Sequence, residues 1–131
     1  MKLLVADDSA VYRKMLKFLL ESWEYEVVLA EDGNQALALL QGPDAPRLAI
    51  LDGVMPGLSG PELCQAIRQL DYYVYTILLS ASGHENHIAQ GFELGNDDFL
   101  SKPFKQFELK SRLRVGMRML DAQTQLLVAK S

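Results

Sequence analysis

Short apolar runs alternate along the chain with longer stretches in which apolar residues recur every three or four positions. The short runs predict strands at Leu3–Ala6, Glu26–Leu29, Leu48–Leu51, Thr76–Leu79 and Asp98–Leu100. Most are apolar on both faces, as strands of a sheet covered on both sides must be. Five strand-then-helix units in succession predict an α/β fold around a parallel sheet.

The helical stretches carry their own start and stop signals. The first helix is predicted to begin at Ser9, whose hydroxyl can cap free backbone N–H groups, with Val11, Met15, Phe18, Leu19 and Leu20 marking its apolar face. Asp32-Gly33 reads as a turn closing the second strand. Ala36, Leu37, Leu39 and Leu40 give the second helix its buried side, and Gly42-Pro43 stops it. A third helix follows Ser59-Gly60-Pro61, with Pro61 suited to a first helical position. A fourth, periodic only in part, is expected over His84 to Leu94, with Gly95 as its stop. The last starts near Gln106 and runs almost to Ser131, longer than packing on such a sheet requires.

Composition adds limits. A chain of 131 residues, 49% apolar, is the size of one compact domain. Its net charge of −4 argues against direct nucleic-acid binding, which needs clustered Lys and Arg. The apolar run before Asp7 is far too short for a signal core or a membrane span, so a cytoplasmic protein with no membrane contact is expected. The single cysteine, Cys64, reads as a small buried apolar residue.

Ligands of open α/β sheets sit beyond the carboxyl ends of the strands. On the predicted strands, Asp7-Asp8 follows the first, Asp52 ends the third, Ser80 ends the fourth and Lys102 comes just after the fifth. Three carboxylates gathered at one edge repel one another until a cation neutralises them. Oxygen-only ligation selects a hard divalent ion, Mg²⁺ or in its place Mn²⁺. A carboxylate between such an ion and the Lys102 ammonium has the surroundings of a nucleophile toward a phosphoryl group, and Asp52 is the candidate. Ser80 can hydrogen-bond the transferred group, and small Ala81 leaves room for a donor. Taken singly, each residue has a plain structural explanation, Asp7-Asp8-Ser9 as a helix cap for instance. The joint spacing on consecutive units is what points to chemistry.

These residues fall in four motifs: Val5-Ala6-Asp7-Asp8-Ser9, Leu51-Asp52-Gly53-Val54-Met55-Pro56-Gly57, Leu79-Ser80-Ala81 and Phe99-Leu100-Ser101-Lys102-Pro103-Phe104. In them the chain resembles the receiver domain of bacterial two-component response regulators over residues 1–120. The resemblance implies a doubly wound, flavodoxin-like sheet of order 2-1-3-4-5 with helices on both faces. It further implies that Asp52 accepts a phosphoryl group from a phosphohistidine on a sensor histidine kinase or phosphotransfer protein. Asp8, Asp52 and the backbone carbonyl of Val54 would ligate Mg²⁺, Asp7 would act through a water, and Lys102-Pro103 would be a cis peptide. Ser80 and Phe99 would be the switch pair, remodelling a face made by the fourth helix, the fifth strand and the last helix, through which a homodimer is also expected. Val54 and Ser82 occupy positions that influence phosphoryl lifetime in the family. Val54 cannot hold an attacking water, so slow self-dephosphorylation is expected.

The sequence departs from the common family pattern at Phe99, where Tyr is frequent, and at Ser80, where Thr is frequent. Asp71-Tyr72-Tyr73-Val74-Tyr75 replaces a proline-containing approach to the fourth strand, and surface or partner packing is the default reading of its tyrosines. His84 and His87 lack a third ligand and read as exposed helical residues. Trp23 reads as packing. Arg112, Arg114 and Arg118 read as a solvated or salt-bridged helical face. Leu113, Met117, Leu120, Thr124 and Leu127 repeat at heptad spacing, so residues 121–131 are expected to lead as a helical connector into an output domain absent from this chain. Three rival readings are weaker. A phosphohydrolase of the haloacid-dehalogenase type needs an acid where Val54 stands, a pseudo-receiver usually lacks one of the acidic or Lys positions kept here, and a flavin or dinucleotide binder needs a Gly-rich loop after the first strand. The expectation is a switch that catalyses its own phosphorylation and is not an enzyme acting on a separate substrate.

Overall fold

The computed structural model describes residues 1–81, 93 and 95–130, side chains of 127–130 excepted. Five strands, β1 (Lys2–Ala6), β2 (Glu26–Ala30), β3 (Leu48–Asp52), β4 (Tyr75–Ala81) and β5 (Asp98–Lys102), form one sheet of order β2-β1-β3-β4-β5. All four pairings are parallel. The order reverses direction after β1, and this puts the ends of β1 and β3 side by side as the carboxylate grouping requires. The described helices are α1 (Ala10–Ser22), α2 (Gly33–Gln41), α3 (Gly60–Ile67) and α4 (Gln106–Lys130). The helix expected over 84–94 lies, but for Glu93, outside the described residues, and so do Ser82, His84 and His87.

Strand periodicity divides the core in two. Leu3, Val5, Leu48, Ile50, Ile77 and Leu79 point to one face, where Leu16 and Leu20 of α1 and Leu109, Leu113 and Leu120 of α4 cover them. Leu4, Ala6, Ala49, Leu51 and Leu78 point to the other, against Ala36 and Leu40 of α2 and Leu63, Cys64 and Ile67 of α3. Cys64 is buried, and burial raises its thiol pKa to about 12, which fits an inert packing residue.

Several expectations need correction. β4 runs through Ala81, one residue past Ser80, and β5 through Lys102, so Lys102 is the last residue of its strand and not the residue after it. On α1, Val11 and Phe18 are 76% and 80% exposed, and the buried residues are Leu16 and Leu20. Asp32-Gly33 is a helix start in place of a turn. The Asp32 carboxylate accepts from Gln35 N at 2.7 Å, and a Cβ on Gly33 would fall 2.1 Å from the Leu58 carbonyl oxygen. Pro61 stands second in α3, behind Gly60, with Ser59 and Glu62 forming a reciprocal capping box. Leu113 and Leu120, two members of the expected heptad seam, face the sheet.

Tyr72, Tyr73 and Tyr75 have partners within the chain, in place of the expected surface or partner packing. Tyr75 is 4% exposed in the core, Arg47 lies 4.0 Å over the Tyr72 ring, and Tyr73 donates to Asp97. Trp23 packs half-buried against the α1 side of the core. Arg112 lies 3.4 Å from Asp98, an intrachain pair beside β5.

Candidate functional site

The site is assembled by strand ends. β1 delivers Asp7, whose N–H donates to Ala30 O at 3.1 Å and so prolongs the pairing with β2 by one bond. The Asp7 carboxylate accepts from Ser9 N at 2.9 Å, while Ser9 Oγ caps α1 by accepting from Tyr12 N at 3.3 Å. Arg13, one turn into α1, donates from Nη1 to Asp7 O at 2.7 Å. With the neighbouring residue fastened by side chain and carbonyl alike, the exposed Asp8 carboxylate is carried on a fixed loop.

β3 delivers Asp52, 9% exposed. Gly53 N donates to Leu79 O at 2.8 Å, extending the β3–β4 ladder past the carboxylate. A Cβ at Gly60 would lie 2.6 Å from Asp52 O and 2.9 Å from Gly53 Cα, so only glycine lets α3 start this close beneath the site. Between Asp52 and Gly60 the backbone turns through Gly57, at φ +75°. β4 and β5 pair in register Ser80↔Ser101 and Ala81↔Lys102, which aims the Lys102 side chain across the edge at Asp7 and Asp52.

The result is a cluster in which one carboxylate oxygen from each of Asp7, Asp8 and Asp52 lies within 4.8 Å of the others. Lys102 Nζ stands 3.0 Å from Asp7 Oδ2 and 3.4 Å from Asp52 Oδ1. Asp8, Asp52, Gly53, Val54, Leu79, Ser80, Ala81 and Lys102 line one open cleft of about 250 Å³. Ser80, 2% exposed, donates to Ala81 O at 3.3 Å, and Val54 N points at Asp52 Oδ1 from 3.5 Å. The Lys102-Pro103 peptide is cis.

Electrostatics shows that the cluster is short of positive charge. Burial lifts the Asp52 pKa from 3.8 to about 6, and the charge of Asp7 adds to that rise against the opposing pull of Lys102. For Lys102, burial works against the charged form, but the Asp7 hydrogen bond and the field of Asp52 outweigh it and hold its pKa above the ordinary value. One ammonium therefore shares two of three carboxylates and does not neutralise them. The donor set is all oxygen and open to solvent at Asp8, which fits a small hard divalent cation.

Asp7, Asp8, Asp52, Val54, Ser80, Ala81 and Lys102 are thus gathered at one edge. Phe99 is not among them. It pairs with Leu78 lower on β5 and packs half-buried against the α2–α3 side of the core. Two contributors escaped the sequence reading: Arg13, and Tyr12, whose ring centroid is 4.1 Å from Lys102 Nζ. Their only signal was position, three and four residues after the Ser9 cap and hence facing back over the loop.

The match to the response regulator receiver domain family model spans residues 3–114. Among curated relatives, the transcriptional regulatory protein ResD of Bacillus subtilis is 40% identical over 118 residues, covering 89% of this chain and 48% of that protein. The phosphate regulon transcriptional regulatory protein PhoB of Pseudomonas aeruginosa is 38% identical over 118 residues, covering 88% of this chain and 51% of that one. In fold, the signal receiver domain of an HD domain-containing protein from Pseudomonas fluorescens superposes with a TM-score of 0.86 at 30% identity, over 92% of this chain and 97% of that domain. The chain belongs to the receiver domain family of two-component response regulators. It spans about half the length of the curated relatives it matches. Among the described residues no helix is long and apolar enough to cross a membrane.

Proposed function

We propose that this chain is a phosphorylation-operated switch in which Asp52 accepts a phosphoryl group from a phosphohistidine on a sensor histidine kinase or phosphotransfer protein. The observation that carries the reading is the under-neutralised carboxylate cluster with Lys102 at its side. An Asp52 oxygen forms the new bond to phosphorus as the P–N bond to the donor imidazole breaks, and the electron pair leaves with the imidazole. Asp8, Asp52 and the Val54 carbonyl would hold Mg²⁺, with Asp7 acting through a water. The ion would supply positive charge to the equatorial phosphoryl oxygens during transfer. Lys102 supplies a second charge from the Asp7 side, and Ala81 keeps the donor's approach open. The Ser80 hydroxyl, which lines the same cleft as Asp52, would donate to the phosphoryl once it is on Asp52.

The output follows from the charge change. A phosphoryl group adds negative charge and strong acceptors, drawing Ser80 and Lys102 toward it, and Phe99 answers on β5 beside Leu78. The face made by β5 and α4 then changes, and a homodimer forms through it. The end of α4, from Asp121 to Lys130, serves as a connector, and DNA contact in the whole protein is assigned to an output domain, in keeping with relatives named as transcriptional regulators. Val54, 48% exposed and apolar, gives an attacking water no hydrogen bond, so the phosphoryl group should outlast seconds.

Intact-protein mass after incubation with a small-molecule phosphodonor and Mg²⁺ tests this. The wild type should gain one phosphoryl mass, and neither Asp52→Asn nor a chelated sample should. A wild type that gains none with any donor would turn the reading toward a receiver that signals without phosphate.

A further inference from the structure

We infer that Tyr12 is a positioning residue for Lys102, its ring serving as a third wall that holds the ammonium at the carboxylate cluster. The inference rests on the phosphoacceptor reading and adds to it a residue that lies outside the recognised motifs.

The geometry begins with what surrounds Nζ. Two directions are taken by Asp7 Oδ2 at 3.0 Å and Asp52 Oδ1 at 3.4 Å, and the Tyr12 ring centroid stands at 4.1 Å. Only 14% of the Lys102 side chain is exposed, so the ammonium has given up most of its hydration. An aromatic face bears partial negative charge and attracts a cation most strongly where water is scarce. Tyr12 is itself held from below, half-buried against the core that includes Leu16 and Leu20. Its backbone N–H caps into Ser9, the residue that also fastens Asp7. The ring and the Asp7 carboxylate therefore belong to one rigid corner of the molecule, and both converge on the same ammonium.

The consequence is positional. A lysine side chain has four rotatable carbons, and two acidic partners on one side leave it free to swing toward Asp7 and away from Asp52. The ring, with its centroid 4.1 Å from Nζ, limits that swing. It also raises no competing hydrogen bond, so the ammonium can pass from the Asp52 oxygen to an incoming phosphoryl oxygen without surrendering a donor. The hydroxyl of Tyr12 plays no part in this account, which makes phenylalanine the conservative replacement and an aliphatic residue the disruptive one.

The experiment compares wild type, Tyr12→Phe, Tyr12→Leu and Tyr12→Met, the last two removing the ring while keeping apolar volume against the core. Carbon–proton spectra of the metal-free protein report the ring directly. Lys102 ε-methylene protons should be shifted upfield in wild type and Tyr12→Phe and return toward free-lysine values in the aliphatic variants. Phosphorylation rates with a small-molecule donor and saturating Mg²⁺ should be unchanged in Tyr12→Phe and about fivefold slower in Tyr12→Leu and Tyr12→Met. Equal rates in all four proteins would overturn the positioning role, as would unshifted Lys102 protons in the wild type. A wild type inert to every donor while its Lys102 protons are shifted would instead overturn the phosphoacceptor reading, and the role with it.

Discussion

The two ends of the sheet handle buried carboxylates in opposite ways. At the amino end, Asp97 accepts from Arg68 at 2.7 Å, from Thr76 N at 2.8 Å and from the Tyr73 hydroxyl, and Arg68 Nε also donates to Gly95 O at 2.7 Å. Gly95 sits at φ +113° with room for no Cβ beside the Arg68 side chain, so the arginine is clamped along its length. Burial, and then Asp97, push the Tyr73 pKa upward, keeping the phenol a donor. At the carboxyl end, three carboxylates meet one ammonium and Asp52 is raised to about 6. One end is satisfied by its own side chains and stabilises the fold. The other leaves acceptors facing the cleft, a condition that costs stability and that a bound cation would relieve.

Breaking the satisfied end should have the largest effect. Arg68→Ala leaves Asp97 partly buried with its cation gone, and a loss of about 2–3 kcal/mol is expected in urea unfolding at neutral pH. Site phosphorylation measured on the folded fraction should be nearly unchanged.

At the other end the sign reverses. Asp52→Asn removes a charge that the metal-free fold disfavours, and the variant should be more stable than wild type by about 1–2 kcal/mol at pH 7. Because the folded value near 6 lies above the ordinary 3.8, the folded state holds this proton longer than the unfolded chain does. The wild type's relative stability is therefore highest below about pH 4, falls as pH rises toward 6 and levels off above it. The gap between the two proteins should open over that window, and a gap independent of pH would contradict the assignment of the shift to Asp52.

Smallest is the effect of the cation. Mg²⁺ at about ten times its dissociation constant should stabilise the wild type by about 1.4 kcal/mol, seen as a rise in Tm, and should stabilise Asp52→Asn less. It should leave the deficit of Arg68→Ala unaltered, since that residue sits at the far end of the strands.

The same contrast explains what could be read from the chain alone. Strand ends in a parallel sheet converge, so Asp7, Asp8, Asp52, Ser80 and Lys102 fell into one group once five strand–helix units were recognised. The Arg68–Asp97 pair, by contrast, spans 29 positions between a helix end and a loop, and neither residue carries a local signal. Surface or partner packing is the default for Tyr72 and Tyr73 because their intrachain partners, Arg47 and Asp97, are remote in sequence. On α1 two apolar stripes compete, Leu16 and Leu20 with Tyr12 and Leu19 against Val11, Met15 and Phe18, and periodicity alone does not say which faces the sheet. The seam on α4 was ambiguous for the same reason, since Leu113 and Leu120 meet the core before the helix outruns it.

The proposed switch requires that Asp52, among all the carboxylates at this edge, be the one that reacts. Borohydride reduction of the phosphodonor-treated protein converts an acyl phosphate at an aspartate to homoserine, and peptide mass mapping then locates it. Homoserine is expected at position 52 in the Mg²⁺-containing sample and should be lost on chelation. Homoserine at position 7 or 8, or conversion at 52 that persists without a divalent cation, would contradict it.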